Sequence, residues 1–401
     1  MKSESFDIKS IVRPNILALT PYRSARDDYN TGILLDANEN SFGPVSLMDE
    51  NDESTQVNEV SSAKNPLEMH RYPDPLGVAV KKNFIKFRTQ VKSIDNVFMS
   101  VGSDEVIDLV VRIFCKPGIE KVLITPPTYG MYSTVCQIND VGIVSVPLDL
   151  ESGKFQLQVD NVLDTLKKDP LIKVIWLCSP GNPTGSLLKL EDIKAILDSE
   201  FRGIVIVDEA YIDFAINSEE ASALTLINDY KNLLVMNTLS KSFGMAGARV
   251  GFGISSKEVI QIMNNVKAPY NMNSLSQNVA LEALEPSSIK SMMRVKNEII
   301  NQRDNFLIPA FKKMRNVKQV LGTNDSNFVL VQFCNASGEP DNDVALKIYR
   351  TLANQYEVVV RYRGNEPGCK GCLRVTVGLN SQNVILLETL NTVLSSMFPP
   401  Q

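Results

Sequence analysis

Histidine is almost absent from this sequence, with His70 as the single one among 401 residues. Zinc hydrolases and serine or cysteine hydrolases depend on histidine as a metal ligand or a proton acceptor. The residues beside His70 offer no metal-ligand spacing, so we expect no metal site and assign this histidine to the surface or to a loop. Proton transfer is then expected to use lysine, tyrosine and carboxylate side chains.

A surplus of positive charge is lacking as well, since 41 lysine and arginine residues stand against 46 aspartate and glutamate residues. Nucleic-acid-binding domains usually carry a basic face, so we expect no nucleic-acid partner. An anionic ligand would instead be bound by a few placed arginine and lysine side chains.

Long apolar runs are also missing, and none is long enough to cross a bilayer. The first residues contain no apolar core of a secretory signal, and they carry acidic side chains early, unlike a mitochondrial presequence. We therefore expect no membrane partner and a cytoplasmic protein.

Cysteine is scarce and scattered, with six residues in the chain. Four of them lie in or beside apolar runs, which predicts buried thiols in a reducing compartment rather than a disulfide framework. Cys369 and Cys372 form a C-x-x-C pair. Because a zinc site needs two further ligands, we assign this pair a structural role.

The chain is too long for one typical hydrophobic core, so we expect two domains. Residues 67–289 predict a large α/β domain and residues 290–401 a smaller α+β domain. Residues 1–45, with extended and turn signals, predict an N-terminal arm that belongs in part to the small domain. Residues 46–66 are polar and acidic without apolar periodicity, which predicts a solvated loop or an insertion.

Short apolar runs that alternate with helical segments are typical of a mostly parallel sheet covered on both faces. In the large domain the strand candidates are residues 97–101, 121–125, 142–147, 174–178, 203–207 and 233–237. A charged helical stretch at 290–312 precedes the small domain. There the strand candidates are residues 327–333, 357–362 and 373–377. Ligands of parallel sheets bind at the carboxyl ends of the strands, and the motifs described next follow such ends.

One motif centres on Lys241, which follows a predicted strand and is flanked by hydroxyl residues and Gly244. A desolvated lysine can act as a nucleophile toward an aldehyde, because burial lowers its pKa. Thr238, Ser240 and Arg249, eight residues after the lysine, would surround a phosphate. Taken alone, the motif is equally compatible with a surface lysine in a loop.

A second motif places Asp208 and Tyr211 at the end of another strand. An aspartate there can pair with a protonated pyridine nitrogen and keep the ring an electron sink. The tyrosine can bind the ring hydroxyl. A Walker-B strand end would require a glycine-rich phosphate loop, and the sequence contains none.

Three weaker motifs also follow predicted strands. Asn182 lies between two prolines, although this segment would equally form an ordinary turn. Ser103 and Asp104 begin a predicted helix, whose free N–H groups and dipole favour a phosphate, but a simple N-cap explains Ser103 as well. Tyr129 is placed to stack on a cofactor, or to pack in the core.

Together and in this order, these motifs make the sequence resemble the fold-type I, class II aminotransferases. Within that family it is similar to the histidinol-phosphate aminotransferases, and the resemblance extends from about residue 19 to residue 378. Further cues for this subfamily lie at residues 35–40, 71–74, 129–132, 327–329 and 371–378. The acidic segment 46–66 departs from the family pattern. The resemblance implies a large domain with a mostly parallel sheet covered by helices, and a smaller α+β domain.

The resemblance also implies pyridoxal 5'-phosphate as the cofactor. Lys241 would bind it as a Schiff base and then transfer the proton, and Asp208 would pair with the pyridine nitrogen. Asn182 and Tyr211 would hold the ring hydroxyl, while Tyr129 would stack on the ring. The residues implied to bind the cofactor phosphate are Ser103, Asp104, Thr238, Ser240 and Arg249, with Tyr72 from the other subunit. The family therefore implies a homodimer with shared sites.

On the substrate side, Arg374 matches the arginine that binds the anionic end, with Arg361, Tyr22 and Asn182 beside it. The implied reaction converts L-histidinol phosphate and 2-oxoglutarate into imidazole-acetol phosphate and L-glutamate. A dianionic phosphate needs more than one cation, so the presence of two arginines favours a phosphate substrate.

Two alternatives have the same scaffold, namely an aromatic-amino-acid aminotransferase and a phosphothreonine-type decarboxylase. A third, a ligand-sensing regulator, would need a DNA-binding unit, for which the N-terminal segment has no room.

Overall fold

The structure is a computed structural model that describes residues 32–36, 38 and 73–399. The predictions for segment 46–66, Tyr22, His70 and Tyr72 lie outside the described residues.

A seven-stranded sheet forms the larger part of the described chain, in the order β2-β8-β7-β6-β5-β3-β4. Its strands are β2 (Val97–Val101), β3 (Lys121–Ile124), β4 (Gly142–Ser145), β5 (Ile172–Cys178), β6 (Ile204–Asp208), β7 (Leu233–Thr238) and β8 (Val250–Ile254). Only the two ladders that β8 makes are antiparallel, so every other strand of this sheet runs in one direction. The predicted mostly parallel sheet is confirmed.

Helices cover both faces of this sheet. They are α1 (Val78–Phe87), α2 (Gly102–Phe114), α3 (Met131–Ile138), α4 (Val159–Lys168), α5 (Leu190–Leu197), α6 (Ser218–Ala221), α7 (Lys257–Val266) and α8 (Ser274–Ala283). Short 3-10 turns occur at Ile94–Asn96, Ile212–Phe214, Ala223–Leu226 and Ala246–Ala248. Successive residues of β5 point to opposite faces, and the two faces enter separate cores, with Ile175 in one and Trp176 in the other. This explains why the strands read as continuous apolar runs.

Strand β8 was not predicted. Two glycines, Gly251 and Gly253, interrupt its apolar pattern and make it look like a loop. The structure explains why position 251 is a glycine, because a Cβ there would lie 2.4 Å from the carbonyl carbon of Gly102. The strand thus lets the first turn of α2 approach the sheet closely.

A four-stranded antiparallel sheet, in the order β12-β13-β10-β9, forms the smaller unit. Its strands are β9 (Val317–Leu321), β10 (Phe328–Phe333), β12 (Arg361–Tyr362) and β13 (Cys372–Thr376). A short parallel pair joins β1 (Ile33–Leu34) to β11 (Val358–Val359). Its helical segments are α9 (Pro286–Asn301), a π-helical turn (Gln302–Leu307), α10 (Ile308–Lys313), α11 (Asn342–Tyr356) and α12 (Asn380–Met397).

The predicted single strand at 357–362 is wrong in one respect. Glu357 adopts a left-handed conformation at the end of α11 (φ +55°). The chain then pairs with β1 through Val358–Val359 and with β13 through Arg361–Tyr362. Because the segment changes partner at Val360, one apolar run becomes two short strands.

All six cysteines are buried free thiols, including the four whose apolar sequence neighbours predict burial. Cys369 and Cys372 pack into the core that also lies beneath the large sheet. Among the helices of the described residues, none combines the length and apolar character that a membrane crossing requires.

The contact between β8 and α2 predicts different tolerance at two glycines of one strand. A Cβ at Gly251 would lie 2.5 Å from the Ser103 amide nitrogen, whereas at Gly253 the nearest atom would be 3.5 Å away. We expect Gly251→Ala to lower the free energy of unfolding by about 1–3 kcal/mol. The matched variant Gly253→Ala should be neutral or slightly stabilising, because alanine restricts the unfolded chain more than glycine. Urea unfolding measures both, and equal losses would contradict this account of β8.

Candidate functional site

A cavity of about 190 Å³ opens at the carboxyl edge of the large sheet and is closed on the other side by β12 and β13. A cavity needs roughly 10–15 Å³ by this measure to hold one water molecule, so the cavity has room for a small ligand. Every predicted site residue within the described chain lines it, namely Ser103, Asp104, Tyr129, Asn182, Asp208, Tyr211, Thr238, Ser240, Lys241, Arg249, Arg361 and Arg374. Tyr22 and Tyr72 lie outside the described residues.

Lys241 lies in the loop that leaves β7. The turn before it is closed by Thr238, whose Oγ1 accepts a hydrogen bond from the Ser240 amide at 3.1 Å. Ser242 Oγ, on the other side of the lysine, donates to Asp213 at 2.6 Å, and Asp213 forms a buried ion pair with Arg88. Both neighbours of the lysine are therefore held by the buried interior.

The Lys241 side chain is half-buried, and its Nζ lies 5.6 Å from the centre of the Tyr211 ring. The amine thus faces the aromatic wall of the cavity.

Asp208 ends β6 and is fully enclosed. Burial raises the pKa of its carboxyl to about 6, although hydrogen bonds from Tyr132 and from the Ala210 amide oppose the rise. Tyr132 Oη donates to Oδ2 at 2.7 Å, and the Ala210 amide donates to Oδ1 at 3.1 Å. Within the described part of the chain, no lysine or arginine forms an ion pair with this carboxylate. A buried anion with neutral donors is suited to a cationic ligand atom.

Tyr132 has a role that the sequence reasoning missed. Its ring stacks on Trp176 at a centroid distance of 4.7 Å, and this contact holds the hydroxyl against Asp208. The one available indication was its place in the aromatic run at 129–132. Tyr129, in the same run, meets the Tyr132 ring edge-on at 5.7 Å and lines the cavity.

Tyr211 and Asn182 lie beside Asp208 in the cavity. Burial raises the pKa of the Tyr211 hydroxyl to about 12, so it remains protonated at neutral pH. This hydroxyl accepts a hydrogen bond from Asn38 Nδ2 at 3.1 Å. Asn182 Oδ1 accepts one from Arg374 Nη1 at 2.6 Å. These contacts add Asn38 to the site, a residue that belongs to the family cue at residues 35–40.

One end of the cavity is built to receive an anion. Helix α2 begins there at Gly102 (φ +66°), where a Cβ would come within 2.4 Å of Arg249 Nη2. Free N–H groups at a helix start and the helix dipole attract negative charge. Ser240 adds a hydroxyl and Arg249 a guanidinium. The Asp104 carboxylate lies 3.0 Å from Arg249 Nη2, so this side chain orients the arginine.

The opposite end carries three arginines, of which the sequence reasoning named Arg361 and Arg374 but not Arg363. Arg361 and Arg374 are direct partners across antiparallel strands. Arg374 is buried, and its Nη2 donates to the Asp36 carbonyl at 2.6 Å. Arg363 forms an ion pair with Glu366 at 3.6 Å.

The arrangement places an amine and a buried carboxylate between two cationic ends. A ligand that fits would carry a carbonyl for the amine, a positive ring atom for Asp208 and an anionic group near the start of α2. A second anionic molecule would bind to the arginine end.

Comparisons with known proteins agree with this chemistry. Residues 30–389 match the family model for class I and II aminotransferases. The chain is 46% identical to histidinol-phosphate aminotransferase of Schizosaccharomyces pombe, over 98% of this chain and 99% of the relative. It is 44% identical to the Candida maltosa enzyme of the same name, over 98% and 99% of the two chains.

A solved structure, histidinol-phosphate aminotransferase from Sinorhizobium meliloti in complex with pyridoxal-5'-phosphate, has a TM-score of 0.79 and 20% identity. The match covers 97% of this chain and 98% of that one, and it confirms the fold. The chain therefore belongs to the class I and II aminotransferase family, and within it to the histidinol-phosphate aminotransferases.

Proposed function

We propose that this aminotransferase exchanges an amino group between L-histidinol phosphate and 2-oxoglutarate, yielding imidazole-acetol phosphate and L-glutamate, with pyridoxal 5'-phosphate bound at Lys241. The observation that carries the proposal is the shared cavity of Lys241, the buried Asp208 and a set of arginines. The relatives at 44–46% identity are named for the same activity.

The residues present fit this cofactor. The start of α2, Ser103, Ser240 and Arg249 supply donors for its phosphate, and a Cβ at Gly102 would fill part of that space. Thr238 lies 2.9 Å from Ser240 and supports this hydroxyl group. Asp208 offers a buried carboxylate for a protonated ring nitrogen, which would remove the cost of an uncompensated buried charge. Tyr129 supplies a ring to stack on the cofactor, and Asn182 and Tyr211 supply polar groups for its hydroxyl.

Pyridoxal 5'-phosphate, when bound, supplies an electron-withdrawing ring that stabilises the carbanion left when a substrate carbon loses its proton. The side chains of the protein would supply the groups that remove this proton and that keep the ring electron-withdrawing. Lys241 Nζ would hold the cofactor covalently, and its free amine would take the proton from the amine-bearing carbon of the substrate. Asp208 would keep the ring nitrogen protonated. Tyr132 in turn keeps Asp208 ionised, because its hydrogen bond lowers the pKa of that carboxyl.

The arginine end accounts for two chemically different substrates. Glutamate presents its α-carboxylate and histidinol phosphate presents a phosphate monoester. A guanidinium can bind either group in a bidentate manner. Arg374 is held in place by Asn182 and the Asp36 carbonyl. Arg361, its cross-strand partner, adds the second positive charge that a phosphate needs.

A homodimer with shared sites is part of this proposal. The family resemblance assigns Tyr72 to the partner's cofactor phosphate. We further propose a cytoplasmic enzyme, since six buried free thiols are typical of a reducing compartment.

Subunit mixing tests Lys241 and the shared site together. Lys241→Ala should bind the cofactor without turnover, because the amine that transfers the proton is gone. Tyr72→Phe should be impaired by weaker cofactor binding. A hybrid dimer should contain one site without either lesion, so the mixture should regain activity above that of both parents. The absence of any gain, after subunit exchange has been verified by mass spectrometry, would show that each site is built from one chain.

The two paired arginines should differ in their effects on the half-reactions. Losing a charge-assisted hydrogen bond costs about 1.5–3 kcal/mol, which lowers kcat/KM by roughly tenfold to a hundredfold. We expect Arg361→Gln to lower kcat/KM by this factor for histidinol phosphate and much less for glutamate. Arg374→Gln should damage both half-reactions. The measurement is single-turnover absorbance of the cofactor, whose occupancy should not change. Equal losses for both substrates in Arg361→Gln would refute the assigned role of Arg361.

A further inference from the structure

Arg363 is a third arginine at the substrate end of the cavity. It follows β12 and is two residues from Arg361, so both side chains leave the strand on the same side. Its amide donates to the Cys372 carbonyl at 2.9 Å, which continues the β12–β13 ladder by one step. The backbone of Arg363 is therefore fixed by the same sheet that fixes Arg361 and Arg374.

The loop after Arg363 is built around Asn342. Its Nδ2 donates to the Gly364 carbonyl at 3.1 Å, and its Oδ1 accepts from the Gly371 amide at 2.7 Å. The Glu366 amide donates to the Arg363 carbonyl at 3.0 Å and closes a turn. These bonds hold Glu366 over the arginine rather than in solvent.

Glu366 is an acidic residue that faces this group of cations. Its Oε1 lies 3.6 Å from Arg363 Nη1, with 19% of the Arg363 side chain and 30% of the Glu366 side chain exposed. Burial raises the pKa of the Glu366 carboxyl, and the charges of Arg363 and Arg374 oppose this rise. Arg363 is thus paired with a carboxylate in the cavity wall, while Arg374 donates to the Asn182 side chain and to the Asp36 carbonyl.

We infer that Arg363 is a specificity-determining residue, which leaves Glu366 to bind a substrate phosphate but stays with Glu366 when the substrate carries a carboxylate. This inference rests on the proposed function and names the residue that separates its two substrates. A phosphate monoester carries a charge of about −1.5 to −2 at pH 7 and three acceptor oxygens. A substrate carboxylate has one charge, as Glu366 has, so Arg363 gains no electrostatic energy by changing from one to the other. A substrate phosphate offers more negative charge and more acceptor oxygens than Glu366.

The test uses inorganic phosphate as a competitive inhibitor of the glutamate half-reaction in the holoenzyme, alongside kcat/KM for both amino donors. We expect Arg363→Gln to weaken phosphate inhibition and to lower kcat/KM for histidinol phosphate, each roughly tenfold to a hundredfold. The glutamate half-reaction should change by less than about threefold, on the scale of a weak, partly exposed ion pair. Lys370→Gln removes the same charge from an exposed position in the same loop, and it should change none of these quantities.

We expect Glu366→Gln to change phosphate inhibition in the direction opposite to Arg363→Gln. With its carboxylate partner gone, Arg363 becomes available to any anion, so phosphate should inhibit more strongly and the preference for histidinol phosphate over glutamate should narrow. A misfolded variant would lose activity toward both donors and would not bind phosphate more tightly. Arg363→Lys, which keeps the charge without the planar fork, should fall between wild type and Arg363→Gln.

Unchanged phosphate inhibition in Arg363→Gln, or equal losses for both donors, would overturn this inference and leave the proposed function intact. Failure of the wild type to react with histidinol phosphate would instead overturn the proposed function. The two failures are therefore distinguishable within one set of measurements.

Discussion

The hydrogen bonds of Arg374 hold together three distant parts of the chain, and the cavity depends on them. From β13 of the small sheet, the guanidinium reaches Asn182 beyond β5 of the large sheet and the Asp36 carbonyl beside β1. Charge-assisted hydrogen bonds of this kind contribute about 1.5–3 kcal/mol each. Arg374 therefore joins the walls of the cavity and also brings a guanidinium to its substrate end.

The charged side chains of the site include a buried carboxylate and two arginines that are paired with carboxylates. Asp208 is enclosed with neutral donors, and its burial raises the pKa of the carboxyl to about 6. Two arginines at opposite ends are instead paired with carboxylates, Arg249 with Asp104 at 3.0 Å and Arg363 with Glu366 at 3.6 Å. Each pair keeps its arginine oriented, the first at an exposed position and the second at a half-buried one. The cofactor ring and the substrate anion then supply the opposite charges.

Sequence reasoning predicted the site residues that follow strand ends. The carboxyl ends of parallel strands meet at one edge of the sheet, and this holds for any conformation of the loops. It missed β8, whose glycines serve a close approach to α2, and it merged β11 with β12, since a change of pairing partner leaves no local pattern. The contact between Tyr132 and Asp208 joins residues 76 positions apart, which only the tertiary structure reveals. Arg363, by contrast, could have been found, because strand alternation places it on the same face as Arg361.

The cationic end of the cavity is proposed to select a phosphate-bearing amine. The most direct measurement mixes the wild-type holoenzyme separately with histidinol phosphate, phenylalanine and phosphothreonine, and follows the cofactor absorbance in a single turnover. We expect histidinol phosphate to react with the largest kcat/KM. Phenylalanine, which carries a carboxylate as its one anionic group, should react far more slowly. A faster reaction with phenylalanine would contradict it, and a decarboxylated product from phosphothreonine would point to the other chemistry known for this scaffold.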